Sequence, residues 1–258
     1  MTPRRSAAWA WNDRSISILS PLILLALWEI CARTHLIDVR FFPAPTNIIK
    51  HLFDLAASGA LWKHTGASLY RLAVGFVVGC VPAIVLGLAI GLYRPVRAAF
   101  DPLISATYPI PKSSLLPLIL LIFGLGESSK IAMVAIGVFY PVVINTAAGV
   151  RQIAPIFLDV GRNFGASRFN MFRTVALPGS LPLIMTGIKL GAGMGLVLIA
   201  IAEMVGAKQG LGYMIWNAWE LFDVETMYVG LFVIAIIGFV MNTGFDALER
   251  AIVPWRKG

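Results

Sequence analysis

The sequence predicts an all-α membrane protein with six transmembrane helices, and three observations lead there. Apolar residues make up 58% of the 258 and charged residues only 13%, where soluble domains carry about 25% charge. A folded sphere with so few charges could not cover its surface, so the natural solvent for the excess is lipid. The apolar residues gather into six runs near the length, about 20 residues, that crosses a bilayer core. The runs are continuous rather than alternating, which excludes a barrel and leaves helices, the other structure that pairs every backbone group in lipid.

The first run is Ile16–Ala32, interrupted by Glu29. Arg4 and Arg5 precede it as in a signal peptide, but Cys-Ala-Arg-Thr follows in place of a small-x-small cleavage site, so it reads as an uncleaved span. The loop Thr34–Gly66 comes next. Thr46 is its candidate cap for a short helix whose apolar positions are Ile48, Ile49, Leu52 and Phe53. His35, His51 and His64 belong to this loop and read as solvated side chains. The second run, Leu72–Leu92, has no charge. The third, Pro102–Gly126, holds Lys112 and the prolines 109, 111 and 117. Those prolines predict a broken or bent helix, beside protein or water where freed carbonyls are tolerated. Ile131–Val150 is the fourth run. The fifth, Leu181–Ala202, holds Lys189 and Gly191, Gly193 and Gly195, which permit close helix approach. Met227–Phe245 is the sixth. Residues 16–250 thus form one six-span domain between tails at 1–15 and 251–258.

Net charge is +8. The charges are dispersed through short loops, the distribution of the positive-inside rule and not of a groove that tracks nucleic acid. A cytoplasmic N-terminus puts twelve Lys and Arg inside and seven outside, with Lys112 and Lys189 within spans. The even span number returns the C-terminus to the cytoplasm. Cys31 and Cys80 lie in apolar runs without CxxC spacing or clustered histidines, so no metal site is expected.

One connection stands out. Between the fourth and fifth runs lie about thirty residues bearing Arg151, Arg162, Arg168 and Arg173, and connections of that length tend to carry function. Pro155 suits a first helical turn. Phe157, Val160 and Phe164 follow at helical spacing. Gly165 permits a sharp change of direction, Ser167 is a candidate N-cap, and Phe169, Phe172 and Val175 repeat the apolar spacing up to Pro178. The pattern predicts helix–hinge–helix, with Pro178 ending the second helix before the next span begins at Leu181. It fits either an interfacial helix on headgroups or a protein-docking element. The hinge and the fixed exit favour docking.

The same segment resembles the cytoplasmic signature of permease subunits of ATP-binding-cassette importers: Glu-Ala-Ala, three residues, Gly, nine residues, Ile, one residue, Leu-Pro. Asp159-Val160-Gly161 stands at Glu-Ala-Ala, Gly165 follows at the right interval, and Val175 precedes Leu177-Pro178. The first three residues depart from the pattern and Val replaces Ile. "PIPKSSLLPLILLIFGLGESSK", "NTAAGVRQI" and "AEMVGAKQGLGYMI" are similar to the nitrate, sulfonate, taurine and bicarbonate branch, from about Phe42 onward.

The resemblance implies one membrane half of an importer for a small, anionic solute in the bacterial inner membrane. Its partners would be a second permease copy, two ATPase subunits that bind ATP and Mg, and an extracytoplasmic solute-binding protein. The coupling residues would be Asp159, Val160, Gly161, Phe164, Gly165, Ala166, Ser167, Arg168, Leu177 and Pro178, within 155–175 and its exit. The chain has no Gly-x-x-x-x-Gly-Lys-Ser/Thr loop, so it binds no nucleotide by that route and carries no catalytic residue. Ionisable side chains inside spans commonly face water or the bundle interior. Lys112, Lys189 and Glu203 are therefore pathway candidates, unless the lysines snorkel or pair with Glu29 or Glu203. Tyr213, Trp216 and Trp219 mark either the membrane interface or a docking place for the binding protein. A secondary transporter or channel for a small anion is the alternative. It would show inverted repeats, which are not visible, and it leaves the basic segment idle. An intramembrane enzyme would need a motif such as His-Glu-x-x-His or Gly-x-Ser-x-Gly, and neither occurs.

Overall fold

A computed structural model describes residues 7–254, except the side chains of 7–15, 17, 18, 162 and 168. All regular elements among the described residues are helical. The chain packs as two compact units, Met1–Leu61 with Ile215–Leu231, and Trp62–Met214 with Phe232–Gly258.

In the first unit, α1 (Ala7–Arg33) contains the first apolar run. From Ile16 onward it leaves Leu22, Ile23, Leu24, Leu27 and Ile30 more than half exposed, as a lipid-facing helix does. α2 (Pro45–Ala57) starts with Pro45 in its first turn, where the missing N–H costs nothing. Thr46 is not its cap. The N-cap position is Ala44, and it makes no side-chain cap bond. The Thr46 amide and hydroxyl instead donate to the Glu29 carboxylate at 3.1 and 2.8 Å, so α1 supplies the anion that the α2 N-terminus wants. His51 is likewise not simply solvated, since it pairs with the Thr226 hydroxyl at 2.7 Å.

The second unit contains most of the long helices. α3 (Ala60–Leu92) begins at Ala60, well before Leu72, so Lys63, His64 and Arg71 are helical and not in a loop. α4 (Arg94–Thr107) and α5 (Leu116–Phe123) are the two limbs of the third run. A 3₁₀ turn, Lys112–Leu115, lies between them, and the limbs meet at 91°. The expected break is therefore present, at Tyr108–Pro111. α6 (Glu127–Arg151) is well enclosed, with Met133, Val134, Val138, Val142 and Val143 fully buried. α7 (Pro155–Asn163) and α8 (Arg168–Met171) follow. A π-helical turn, Phe172–Ala176, then leads into α9 (Leu177–Met204). α10 (Leu211–Glu220) and α11 (Val224–Ile252) complete the chain.

Small residues set how closely these helices approach α6. A Cβ at Gly75 or Gly87 of α3 would lie 2.6 Å from Val134 or Thr146. On α9, a Cβ at Gly187 would lie 2.9 Å from Asn145. Gly191 and Gly195 also face α6, as expected, whereas Gly193 has nothing within 4 Å. Without a hydrophobic drive between helices in lipid, such contact packing is what holds them together.

Four helices among the described residues are long and apolar enough to cross a membrane: Ala60–Leu92, Glu127–Arg151, Phe169–Met204 and Val224–Ile252. The bent α4–α5 pair makes five if it counts as one span. One boundary corrects the sequence reading. Pro178 does not end a helix, because Phe169–Met204 runs through it without interruption.

Candidate functional site at the two ends of one long helix

The near end of this helix is the basic segment. α7 closes in a Schellman arrangement: the Ala166 amide donates to the Gly161 carbonyl at 3.0 Å, with Gly165 left-handed at φ +68° between them. The Ser167 hydroxyl then accepts the Asn170 amide at 3.2 Å and caps α8. Gly161 leaves room for Met171, whose Cε would lie 2.6 Å from a Cβ at that position. A small residue there lets α8 fold back onto α7.

The π turn has a local cause. Pro178 has no N–H, and in a regular α-helix its ring would meet the carbonyl four residues back, that of Thr174. The chain widens just before it, and the Leu177 amide reaches the Phe172 carbonyl five residues back. The Thr174 hydroxyl donates to the Asn170 carbonyl at 2.6 Å, a back-bond that also bends helices.

The apolar edge of the segment is uncovered. Phe157 is 61% exposed, Phe164 87% and Phe169 67%. Behind it lies a cavity of about 500 Å³, lined by Tyr93, Leu158, Met171, Phe172 and others. The side chains of Arg162 and Arg168 lie outside the described residues.

The far end of α9 is the opposite. Glu203 is fully buried. Its carboxylate accepts the Ser68 hydroxyl at 2.7 Å, the Arg71 guanidinium at 2.8 Å and the Gly212 amide at 3.0 Å. The Leu211 amide donates to Ser68 Oγ at 2.8 Å and the Gly210 amide to His64 Nδ1 at 3.1 Å. Three amides at the start of α10, which a helix leaves unpaired, are thus taken by side chains from α3 and α9. Arg71 also grips Glu127 of α6 through two nitrogens, at 2.6 and 2.7 Å, and donates to the Gln209 carbonyl at 2.7 Å. Lys130, almost fully buried, donates to the carbonyls of Leu125 and Gly206. Two cations and two carboxylates balance in this cluster, with Arg71, Lys130 and Glu203 buried and Glu127 at its exposed edge. Gly210 and Gly212 are required here: a Cβ on Gly210 would overlap the Glu203 carboxylate, and one on Gly212 the Ala200 carbonyl.

The other candidates are dispersed. Lys112 donates to the carbonyls of Thr107, Tyr108 and Ile110 at 2.9, 3.1 and 3.0 Å, and sits 3.9 Å from the Tyr140 ring centroid. It places a cation at the α4 C-terminus, where the helix dipole favours one. Lys189 pairs with Asp246 and Glu249 of α11. Neither lysine pairs with Glu29 or Glu203. Beside Lys189 runs a groove of about 440 Å³ walled by Tyr108, Asn145, Met194 and Val197. Tyr213 stacks on His64 at 5.8 Å, so His64 too is engaged rather than solvated. Trp216 and Trp219 pack on each other at 4.8 Å and stay exposed.

Several helices long and apolar enough to cross a membrane, one of them continuous with an uncovered element, describe a multi-pass membrane protein. The chain belongs to the family described as "Binding-protein-dependent transport system inner membrane component", whose model matches residues 83–258. It is 34% identical to the "Taurine transport system permease protein TauC" of Escherichia coli (strain K12), over 97% of this chain and 94% of that one. It is 33% identical to the "Putative aliphatic sulfonates transport permease protein SsuC" of the same organism, over 95% and 93%. Its fold is similar to that of a chain in "Inward facing conformations of the MetNI methionine ABC transporter", with TM-score 0.63, 18% identity, and 74% of this chain and 97% of that one covered. The chain is accordingly a permease subunit of a binding-protein-dependent ABC importer.

Proposed function

We propose that the chain crosses the bacterial inner membrane six times with both termini in the cytoplasm, residues 16–250 forming one domain. It acts as one half of an ATP-driven importer for a small sulfonate, an aminosulfonate or alkanesulfonate being the class its relatives suggest. The carrying observation is the uncovered apolar edge of 155–175 on a segment continuous with a membrane-spanning helix. An uncovered edge of three phenylalanines calls for a partner groove. We assign that groove to an ATPase subunit, which binds ATP and Mg and grips Asp159, Val160, Gly161, Phe164, Gly165, Ala166, Ser167 and Arg168, with Leu177-Pro178 as the exit. Two such ATPases, a second copy of this chain and a solute-binding protein complete the assembly, the last meeting the exposed Trp216 and Trp219.

The solute route passes the groove between Tyr108 and Met194. Lys189 lines it, and Lys189, Lys112 and Glu203 act as framework, since each spends its charge on protein groups. The test is co-purification of an ATPase with the chain and loss of ATP-driven taurine uptake in Gly165→Val. Uptake that survives both this change and ATP depletion would favour a secondary transporter.

A further inference from the structure

We infer that the Glu203 cluster is a fixed anchor about which the Phe169–Met204 helix tilts, and that Glu203 is a positioning residue for coupling although it lies at the end remote from the ATPase. The inference rests on the reading of 155–175 as the ATPase-gripped segment. Its own support is the contrast between the two ends. At the far end, side chains of α3, α6 and α9 and the amides of Gly210, Leu211 and Gly212 share one hydrogen-bonded network. At Gly210 and Gly212 the chain lies too close to Glu203 and Ala200 to admit even a Cβ. At the near end the same helix is widened by a π turn, attached through the left-handed Gly165, and backed by a cavity of about 500 Å³.

A rod of 36 residues is about 54 Å long at 1.5 Å per residue. Held at one end, it gives its largest displacement at the other, where there is space to accept it. Packed elements have discrete arrangements, and hinge motions concentrate where few contacts resist. If the anchor yielded, force applied at 155–175 would displace α9 bodily instead of tilting it past the Tyr108–Met194 groove.

The test is hydrogen exchange on the wild-type permease–ATPase complex in nanodiscs, nucleotide-free and trapped with ATP and vanadate. Exchange in 205–214, which contains the Gly210, Leu211 and Gly212 amides, is expected to agree between the two states. Exchange in 155–175 is expected to differ by about tenfold or more. Faster exchange of 205–214 in either state would overturn the inference, because the cluster would then be a gate that opens. An ATPase that does not bind, or identical exchange in 155–175, would sink the underlying reading and the inference with it. In Glu203→Gln, taurine taken up per ATP hydrolysed should fall about tenfold while the ATPase stays bound. Ser68→Ala, which keeps the Arg71–Glu203 pair, should lose less. An unchanged ratio in Glu203→Gln would contradict the inference. Should that variant not fold, the wild-type exchange comparison decides alone.

Discussion

The two ends of the Phe169–Met204 helix are built on opposite principles. One end buries a carboxylate completely and satisfies it with a hydroxyl, a guanidinium and a backbone amide. The other leaves Phe164 and Phe169 uncovered and has a widened turn and a glycine hinge. Buried polar pairing is concentrated in the first and uncovered apolar surface in the second. The proposed coupling role needs both, because a lever without a rigid attachment transmits nothing.

The contrast can be broken most forcefully at Glu203. Glu203→Ala takes an acceptor from Arg71, the Ser68 hydroxyl and the Gly212 amide, and removing one member of a buried pair costs about 3–5 kcal/mol. Thermal unfolding of the purified chain should shift down by more than for any lever-end variant. Next comes Gly210→Ala, which forces a methyl into the Glu203 carboxylate at φ +129° and should cost about 2 kcal/mol. Gly193→Ala, on the Phe169–Met204 helix but in open space, should stay within about 0.5 kcal/mol and serves as its control.

At the lever end the order of effects reverses. Gly165→Ala strains a left-handed residue by about 1 kcal/mol, with nothing near to clash, so the melting temperature should barely move while uptake falls sharply. A large melting shift without an uptake defect would remove the distinction between the ends. The smallest effect belongs to Pro178→Ala. Restoring the N–H permits a regular α turn, and hydrogen exchange over 172–178 should slow while global stability changes by about 0.5 kcal/mol or less.

Much of the lever end was legible in the sequence. Gly165, Ser167 and Pro155 have strong local preferences, and each occupies the predicted place. The break in the third span was legible for the same reason, since Pro109 and Pro111 act on their own neighbours. The anchor was not. Glu203 and Arg71 are 132 residues apart, and nothing local to Arg71 says whether it snorkels to a headgroup or is swallowed by the bundle. Hydropathy makes this worse by trimming α3 at its charged residues, since an uncharged run begins only at Leu72 and leaves Arg71 outside it. The signal that could have found the cluster was Gly210-Leu211-Gly212 after a span-end glutamate, two glycines flanking a helix start where a buried acid needs amide donors. The π turn was misread because Pro178 was treated as a stop, when a widened turn lets a helix pass through it.

The most direct test of the whole account is contact at the lever. Phe164→Cys, in a chain whose Cys31 and Cys80 are replaced, should crosslink to the co-expressed ATPase in membrane vesicles and resist reagents confined to the extracytoplasmic side. Labelling from that side, together with no crosslink to any ATP-hydrolysing subunit, would contradict it.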